Sequence, residues 1–413
     1  MPASTDPLPI ERHILDSGIT VILQESRAAP VAAIQVWVDV GAADESETEG
    51  GIAHVHEHML FKGTSRRPVG HIAAEIEGAG GEINAWTSLD ATVYHVVVAS
   101  RHFDTGVDVL SDAILHSAFD PDELGRELGV ILEEIKRSED NPQSRVSRAL
   151  FSNAFTEHPY RRPVIGHAHV VERFTREQIL QFYQANYRPD RLTVVAVGDF
   201  DASNALATIK RAFAPAQGRS APRAARPTEP AQTQIRSAGL VDEVEETQLA
   251  VGWHGPSIAG EDLFAIDVLG VMLGSGESSR LVHRLRHELR VVNEVYAYAY
   301  TPRDDGLFVI GAALHHSKLH DTLRAVGEVV RKVQEEPPPT HELKKAQGIL
   351  AADGVYQRET VEGLARRLGY WSTSVGDPSY EEKYQEGIRA VTAQDVQRVA
   401  RKYLSPQGAT IVA

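Results

Sequence analysis

The sequence predicts an α+β protein built twice over, as two layered domains in each of which a sheet is packed by helices. Three observations predict it. Runs with the alternation and β-branched content of strands, "ITVILQE" (19–25), "VAAIQVWVDV" (31–40) and "ATVYHVVVA" (91–99), are mixed with helical periods at about 50–63, 69–79, 103–116 and 121–138, without strict strand–helix–strand alternation. Residues 216–233, "AQGRSAPRAARPTEPAQT", lack any apolar period and read as a linker near the middle of the chain. The halves on either side of it resemble each other. "FTREQILQFYQANYRPDRLTVVAVG" (174–198) matches "VTAQDVQRVARKYLSPQGATIVA" (391–413), each a Thr-capped helix, a Tyr, a Pro and a β-branched strand, and "DELGRELGVILEE" (122–134) matches "HELKKAQGILAAD" (341–353) at nearly the same offset. The expected domains are 1–215 and 236–413, joined by 216–235.

Composition narrows the chemistry. At 413 residues the chain is long enough for two or three cores. It has no cysteine, which excludes disulfides, cysteine-ligated zinc and iron–sulfur centres, so a metal must be held by His, Asp, Glu or carbonyl oxygen. With 57 acidic against 42 basic residues and a net charge of −15, the surface is unsuited to nucleic acid. No window approaches a membrane span, and "MPASTDPLPIERH" lacks the basic and hydrophobic parts of a signal peptide. A cytoplasmic location is expected, or a periplasmic one where a leader has been removed.

The first chemically distinctive helix is "GGIAHVHEHMLFKG" (50–63). At 100° per residue, Ile52, Val55, His56 and Met59 fall on one side, and His54, Glu57, His58 and Phe61 on the other. His54 and His58 stand at i and i+4, the separation that lets two imidazoles reach one metal ion, with Glu57 between them. His56 sorts with the apolar residues and is expected in the core.

A catalytic zinc site needs a third protein ligand. "DELGRELGVILEEIKRSED" (122–140) is an acid-rich helix whose buried side is set by Leu124, Leu128, Ile131 and Ile135. Glu127 and Glu134 share the flank of that stripe and are the candidates, whereas Glu133 points away toward solvent.

With these motifs the sequence resembles the pitrilysin family of inverted zincins, and within it the bacterial short-chain relatives of the mitochondrial processing peptidase. The resemblance runs through "GGIAHVHEHMLFKGT", "GGEINAWTS", "ELGVILEEI", "HPYRRPVIG" and "SSRLVHRLR" and covers nearly the whole chain. It implies a zinc endopeptidase acting on short or unfolded polypeptides, with two duplicated domains facing each other across a chamber. His54, His58 and Glu134 would be the ligands of one Zn2+, Glu57 the general base, and Glu127 a supporting acid beside the metal. "GGEINAWTS" (80–88) begins with two glycines and continues as a short alternating run, consistent with an exposed edge strand; the resemblance implies that this edge receives the substrate as an added strand, with Asn84 and Ala85 at the family's Asn-Ala positions.

The second half keeps the pattern and loses the metal. "DVLGV" (267–271) stands where "HVHEH" would be, and Ala346 and Asp353 stand where Glu127 and Glu134 would be. The family's oxyanion-binding Arg and Tyr, seven residues apart, correspond to Arg286 and Asn293; the tyrosine is missing, and Tyr296 is an odd number of strand positions away. The resemblance therefore implies a hetero- or homodimer in which a chain of similar length supplies an Arg/Tyr pair. The alternative is a non-catalytic structural or peptide-binding subunit, which the intact zinc motif argues against.

Overall fold

A computed structural model describes residues 9–413, which divide into two compact units. The first comprises the described residues up to Ile135, with Pro163–Ala225 and Gln357–Tyr380. Its sheet has six strands in the order β1-β2-β6-β3-β5-β4: β1 (Ile10–Ile14), β2 (Thr20–Glu25), β3 (Val31–Val38), β4 (Glu82–Thr87), β5 (Thr92–Ala99) and β6 (Leu192–Gly198). Only β2 and β6 pair in parallel; the other neighbours are antiparallel. β4 is therefore an edge strand, as expected.

Strand alternation sends two apolar sets to opposite faces of this sheet. Val21, Leu23, Ile34, Val36, Tyr94, Val96 and Val194 join one core with helices α1 (Ile52–Met59), α2 (His71–Gly78), α3 (Phe103–His116), α4 (Pro121–Asp140, as far as Ile135), α6 (Ala168–Val171), α7 (Arg176–Asn186) and α8 (Ala202–Ala212). Ile22, Ala33, Trp37, Val93, Val195 and Val197 form a second core on the other face, covered by Ala365 and Leu368 of a helix over Val361–Val375. That helix lies so close to the sheet that a Cβ on Gly369 would stand 2.1 Å from Nε1 of Trp37.

The second unit comprises Lys136–Arg162, Arg226–Tyr356 and Glu381–Ala413. Its five strands, β7 (Arg236–Ala238), β8 (Thr247–His254), β9 (Glu294–Tyr300), β10 (Leu307–Leu314) and β11 (Thr410–Val412), run in the order β7-β11-β8-β10-β9. α5 (Pro142–Ala154) packs against β8, where Gly252 admits the side chain of Leu150. A core on the opposite face is built with α9 (Leu263–Gly274), α10 (Leu319–Glu335), α11 (Thr340–Tyr356), α13 (Tyr380–Ala390) and α14 (Ala393–Tyr403). The helix over Val361–Val375 is α12.

The duplication read from the sequence is visible strand by strand. β6-β3-β5-β4 of the first sheet and β11-β8-β10-β9 of the second occupy equivalent places. Thr175 and Thr392 cap α7 and α14 through the same reciprocal capping box. The compact units depart from the boundaries expected at the linker, however. Residues 136–162 of the first half belong to the second unit, and 357–380 of the second half to the first. Each segment contains an amphipathic helix, Pro142–Ala154 or Val361–Val375, that covers the outer face of a sheet, and a helical period states that a face must be buried without stating against which sheet. Residues 216–233 contain no helix or strand. Among the described residues no helix is long and apolar enough to cross a membrane.

Candidate metal centre

α1 begins at Gly51, whose φ of 97° is left-handed, and a Cβ there would lie 2.7 Å from the carbonyl oxygen of Ile165. Gly166 meets the same junction from the other side, at φ 79°, with its hypothetical Cβ 2.4 Å from the carbonyl oxygen of Gly50. The two glycine motifs thus pin the start of the helix backbone to backbone. Glu45, 5% exposed, completes the cap: its carboxylate accepts the N–H groups of Gly51 and Ala53, each at 2.8 Å.

The helix then sorts its histidines as its phase requires. His56 is fully buried against the rings of Phe119, Phe182, Tyr183 and Tyr187, and burial holds its pKa down to about 4. Its Nδ1 and Nε2 face the carbonyl oxygens of Ile52 and Ile179 at 2.8 and 3.0 Å. His54 and His58 point the other way, their ring centroids 4.7 Å apart.

From α4, Glu134 brings Oε2 to 3.9 Å from Nε2 of His54 and 3.6 Å from Nε2 of His58, and one ligand atom from each of the three lies within 4.8 Å of the others. Tetrahedral bonds of about 2.1 Å would place donors about 3.4 Å apart, so one cation fits among them. Burial, with His58 beside it, pushes His54 down to about 4, leaving it neutral at pH 7 with a lone pair to donate. Glu133 is exposed on the opposite flank, as its phase predicts.

Glu127, 7% exposed, lies behind the trio. Its Oε2 stands 3.1 Å from Nδ1 of His58 and its Oε1 2.6 Å from Nζ of Lys62. Donation from Nδ1–H to Glu127 leaves Nε2 of His58 as the free lone pair, turned toward Glu134. The lysine compensates a carboxylate that would otherwise be costly to bury.

Glu57 lies on the same side of α1. Burial raises its pKa above the ordinary carboxylate range, and the hydroxyl of Thr87 and the proximity of His58 draw it partly back. Thr87 Oγ1 donates to Oε2 of Glu57 at 2.6 Å. On β4, Ile83 and Ala85 share this face and pack against the main core, while Trp86 packs on the other face, edge-on to Trp37 at 5.2 Å. Asn84 alternates with Ala85, so its side chain is not on the Glu57 side; its Oδ1 instead accepts the N–H of Ala85 at 2.8 Å, along the edge.

The second-half candidates sit in the other unit. Arg286 lies in a π-helical turn (Val282–Glu288), half exposed, and pairs with Glu277 at 3.1 Å. Asn293 donates its main-chain N–H to Ala313 at 2.8 Å and its side-chain amide to Glu246 at 2.5 Å. Each of the two is therefore engaged with a glutamate. Tyr296 lies across Gly311 of β10, near the amide of Gln143 at 3.4 Å. In α9, the counterpart of α1, Val268, Leu269 and Gly270 of "DVLGV" are buried and Val271 is half-buried, and Ala346 is buried in α11.

Sequence reasoning missed Glu45, Lys62 and Thr87. Alternation through "EINAWT" places residues 83, 85 and 87 together and could have found Thr87; nothing local marks Glu45, which acts six and eight residues ahead.

Residues 20–168 match the profile described as Insulinase (Peptidase family M16), and residues 173–350 match that of the Peptidase M16 inactive domain. An uncharacterized zinc protease of Mycobacterium tuberculosis is 32% identical over 400 residues, covering 95% of this chain and 90% of the relative. One of Streptomyces coelicolor is 30% identical over 406 residues, covering 96% and 87%. The crystal structure of a protease from Helicobacter pylori superposes with a TM-score of 0.92 at 25% identity, covering 98% of this chain and 99% of that one.

Proposed function

The chain belongs to peptidase family M16, and from that premise we propose that it is a zinc-dependent endopeptidase for short or unfolded polypeptides, with His54, His58 and Glu134 as the metal ligands. The carrying observation is the convergence of Nε2 of both histidines and Oε2 of Glu134 beside a half-buried Glu57. When bound, the zinc polarises the scissile carbonyl and lowers the pKa of a water to about 7.

The chain's own groups do the rest. Glu57 Oε1, the oxygen that Thr87 does not hold, accepts the proton of the attacking water and delivers it to the amide nitrogen as the C–N bond breaks. Glu127 orients His58 through Nδ1–H and is itself neutralised by Lys62. The substrate adds to the free edge of β4 as a further antiparallel or parallel strand, displacing the Asn84 amide from the N–H of Ala85. Its recognition is through main-chain groups, which suits substrates of varied sequence.

A partner chain of similar length that carries an Arg/Tyr pair completes the site. Asn293 in the tyrosine position, with its amide committed to Glu246, supports this part of the reading. The competing reading, a non-catalytic peptide-binding subunit, draws on the same asparagine and is opposed by the intact ligand set. The deciding experiment measures zinc content and cleavage of an unstructured fluorogenic peptide by the chain alone and with a family chain bearing the pair. Cleavage that requires zinc and is lost in Glu57→Gln supports the proposal; a zinc-loaded chain that cleaves nothing in either setting refutes it.

A further inference from the structure

We infer that Thr87 is a positioning residue for the Glu57 carboxylate, tying the general base to the strand on which the peptide is registered. The inference rests on the peptidase reading above and concerns a residue outside the metal ligands. Its basis is geometric. Thr87 ends β4, the free edge of the sheet, and projects to the same face as Ile83 and Ala85, toward α1. Its hydroxyl reaches Oε2 of Glu57 at 2.6 Å, and its main-chain N–H also faces that carboxylate.

The donor is held firmly. Thr87 pairs with Thr92 of β5, and the tight turn between them is closed by Ser88, whose N–H donates to Ala91 at 2.8 Å and whose Oγ does so at 3.0 Å. The turn is anchored in its turn to the loop before α1, where Ala42 and Ala43 donate to Ser88 and Leu89 at 3.1 and 2.8 Å. A β-branched residue has few χ1 choices, so a rigid strand end gives a rigid hydroxyl. The last torsion of a glutamate, by contrast, is broad and two-fold. One short charge-assisted hydrogen bond on Oε2 removes that freedom and leaves Oε1 as the proton acceptor.

The consequence concerns register. A peptide added to β4 is placed relative to the strand backbone, and the base is placed relative to the same backbone through Thr87. Proton acceptor and scissile bond are thereby located from one common element, at a site where misplacement by about 1 Å costs about a hundredfold in rate. Loss of the hydroxyl should slow turnover and leave peptide binding unchanged.

The test compares Thr87→Val, which keeps the branched shape and removes the hydroxyl, with Thr87→Ser, which keeps the hydroxyl, in the zinc-loaded full chain assayed with whatever partner it requires. Thr87→Val is expected to lower kcat about ten- to a hundredfold, the range for losing a hydrogen bond to a charged group, with KM within about twofold and zinc content unchanged. Thr87→Ser should recover most of the rate. A second readout is the melting temperature of the zinc-loaded chain: Thr87→Val should change it in the wild-type background and leave it unchanged in a Glu57→Ala background. Equal losses in the valine and serine variants, a raised KM at unchanged kcat, loss of zinc, or the same melting shift in both backgrounds would each overturn the positioning role. A wild-type chain that cleaves well while Thr87→Val cleaves equally fast overturns this role alone; a zinc-loaded wild type that cleaves nothing overturns the functional reading and this role with it.

Discussion

Replacing Glu127 with alanine should weaken zinc binding about 10- to 100-fold without abolishing it. The Glu127 side chain is 9% exposed and that of His58 16%, so their 3.1 Å contact is made largely out of water. A hydrogen bond with one charged partner contributes about 1.5–3 kcal/mol, which corresponds to roughly 10- to 150-fold in an equilibrium constant. Its removal leaves Nδ1–H of His58 without an acceptor and lets the proton move to Nε2, the nitrogen turned toward Glu134. Lys62 adds little to the loss, because its side chain is 33% exposed and regains water when its partner is gone. Glu127→Gln keeps an acceptor and loses the charge, so a smaller drop, about tenfold or less, is expected. Competition titration against a chromogenic zinc chelator near neutral pH measures both variants. An affinity within about twofold of wild type would show that Glu127 does not orient His58, and a loss as complete as that of His58→Ala would make Glu127 a ligand and refute its assignment behind the trio.

Glu134→Ala should lose stoichiometric zinc and Glu133→Ala should keep it, read by elemental analysis of the purified variants. Glu57→Gln should retain zinc and fold while losing at least about a hundredfold in kcat, measured in steady-state peptide cleavage. Gly166→Ala should be destabilising by a few kcal/mol, the combined scale of overpacking and a disfavoured φ, and should weaken zinc binding as well, because the start of α1 must move; chemical denaturation and the chelator titration test the two effects. Burial holds His254 below its ordinary 6.5, although a hydrogen bond to Ala154 draws it back. The unfolded chain therefore takes up this proton first as pH falls, so the stability is fully present above 6.5 and declines below it until the lower folded-state pKa is passed. The drop in urea midpoint between neutral and mildly acidic pH should be smaller in His254→Asn.

The candidate site was legible where one helix carried the whole argument. In α1 and α4 the 3.6-residue period alone separates His56 from His54 and His58, and Glu133 from Glu134, and the structure separates them in the same way. Strand alternation likewise announced β2, β3, β5 and the edge strand β4. What escaped were relations between elements distant in sequence. Thr87 meets Glu57 thirty residues away, Lys62 meets Glu127 across 65, and Gly166 meets Gly50 through backbone packing that no side-chain pattern encodes. The assignment of α5 and α12 to units other than those of their neighbours in sequence escaped for the same reason: amphipathicity specifies a buried face, and the choice of sheet is made in three dimensions.

The placement of α12 also sets an order of events during synthesis. The outer face of the first sheet, with Ile22, Trp37, Val195 and Val197, is covered by residues 361–375, which leave the ribosome after more than 350 others. Until then a nascent chain presents that apolar face bare, at about 1.5–3 kcal/mol of lost burial for each large side chain. The strands and the metal-binding helices can form early, but the unit that holds them is not finished until residues 361–375 have emerged. A fragment ending at residue 225 should accordingly be insoluble or bound by chaperones, and supplying residues 226–413 as a separate chain should rescue it, because the missing cover is an entire helix. Gly369 sets the tolerance of that late docking step: with 2.1 Å between its hypothetical Cβ and Trp37, even a methyl group would hold the helix off the sheet it arrives last to close.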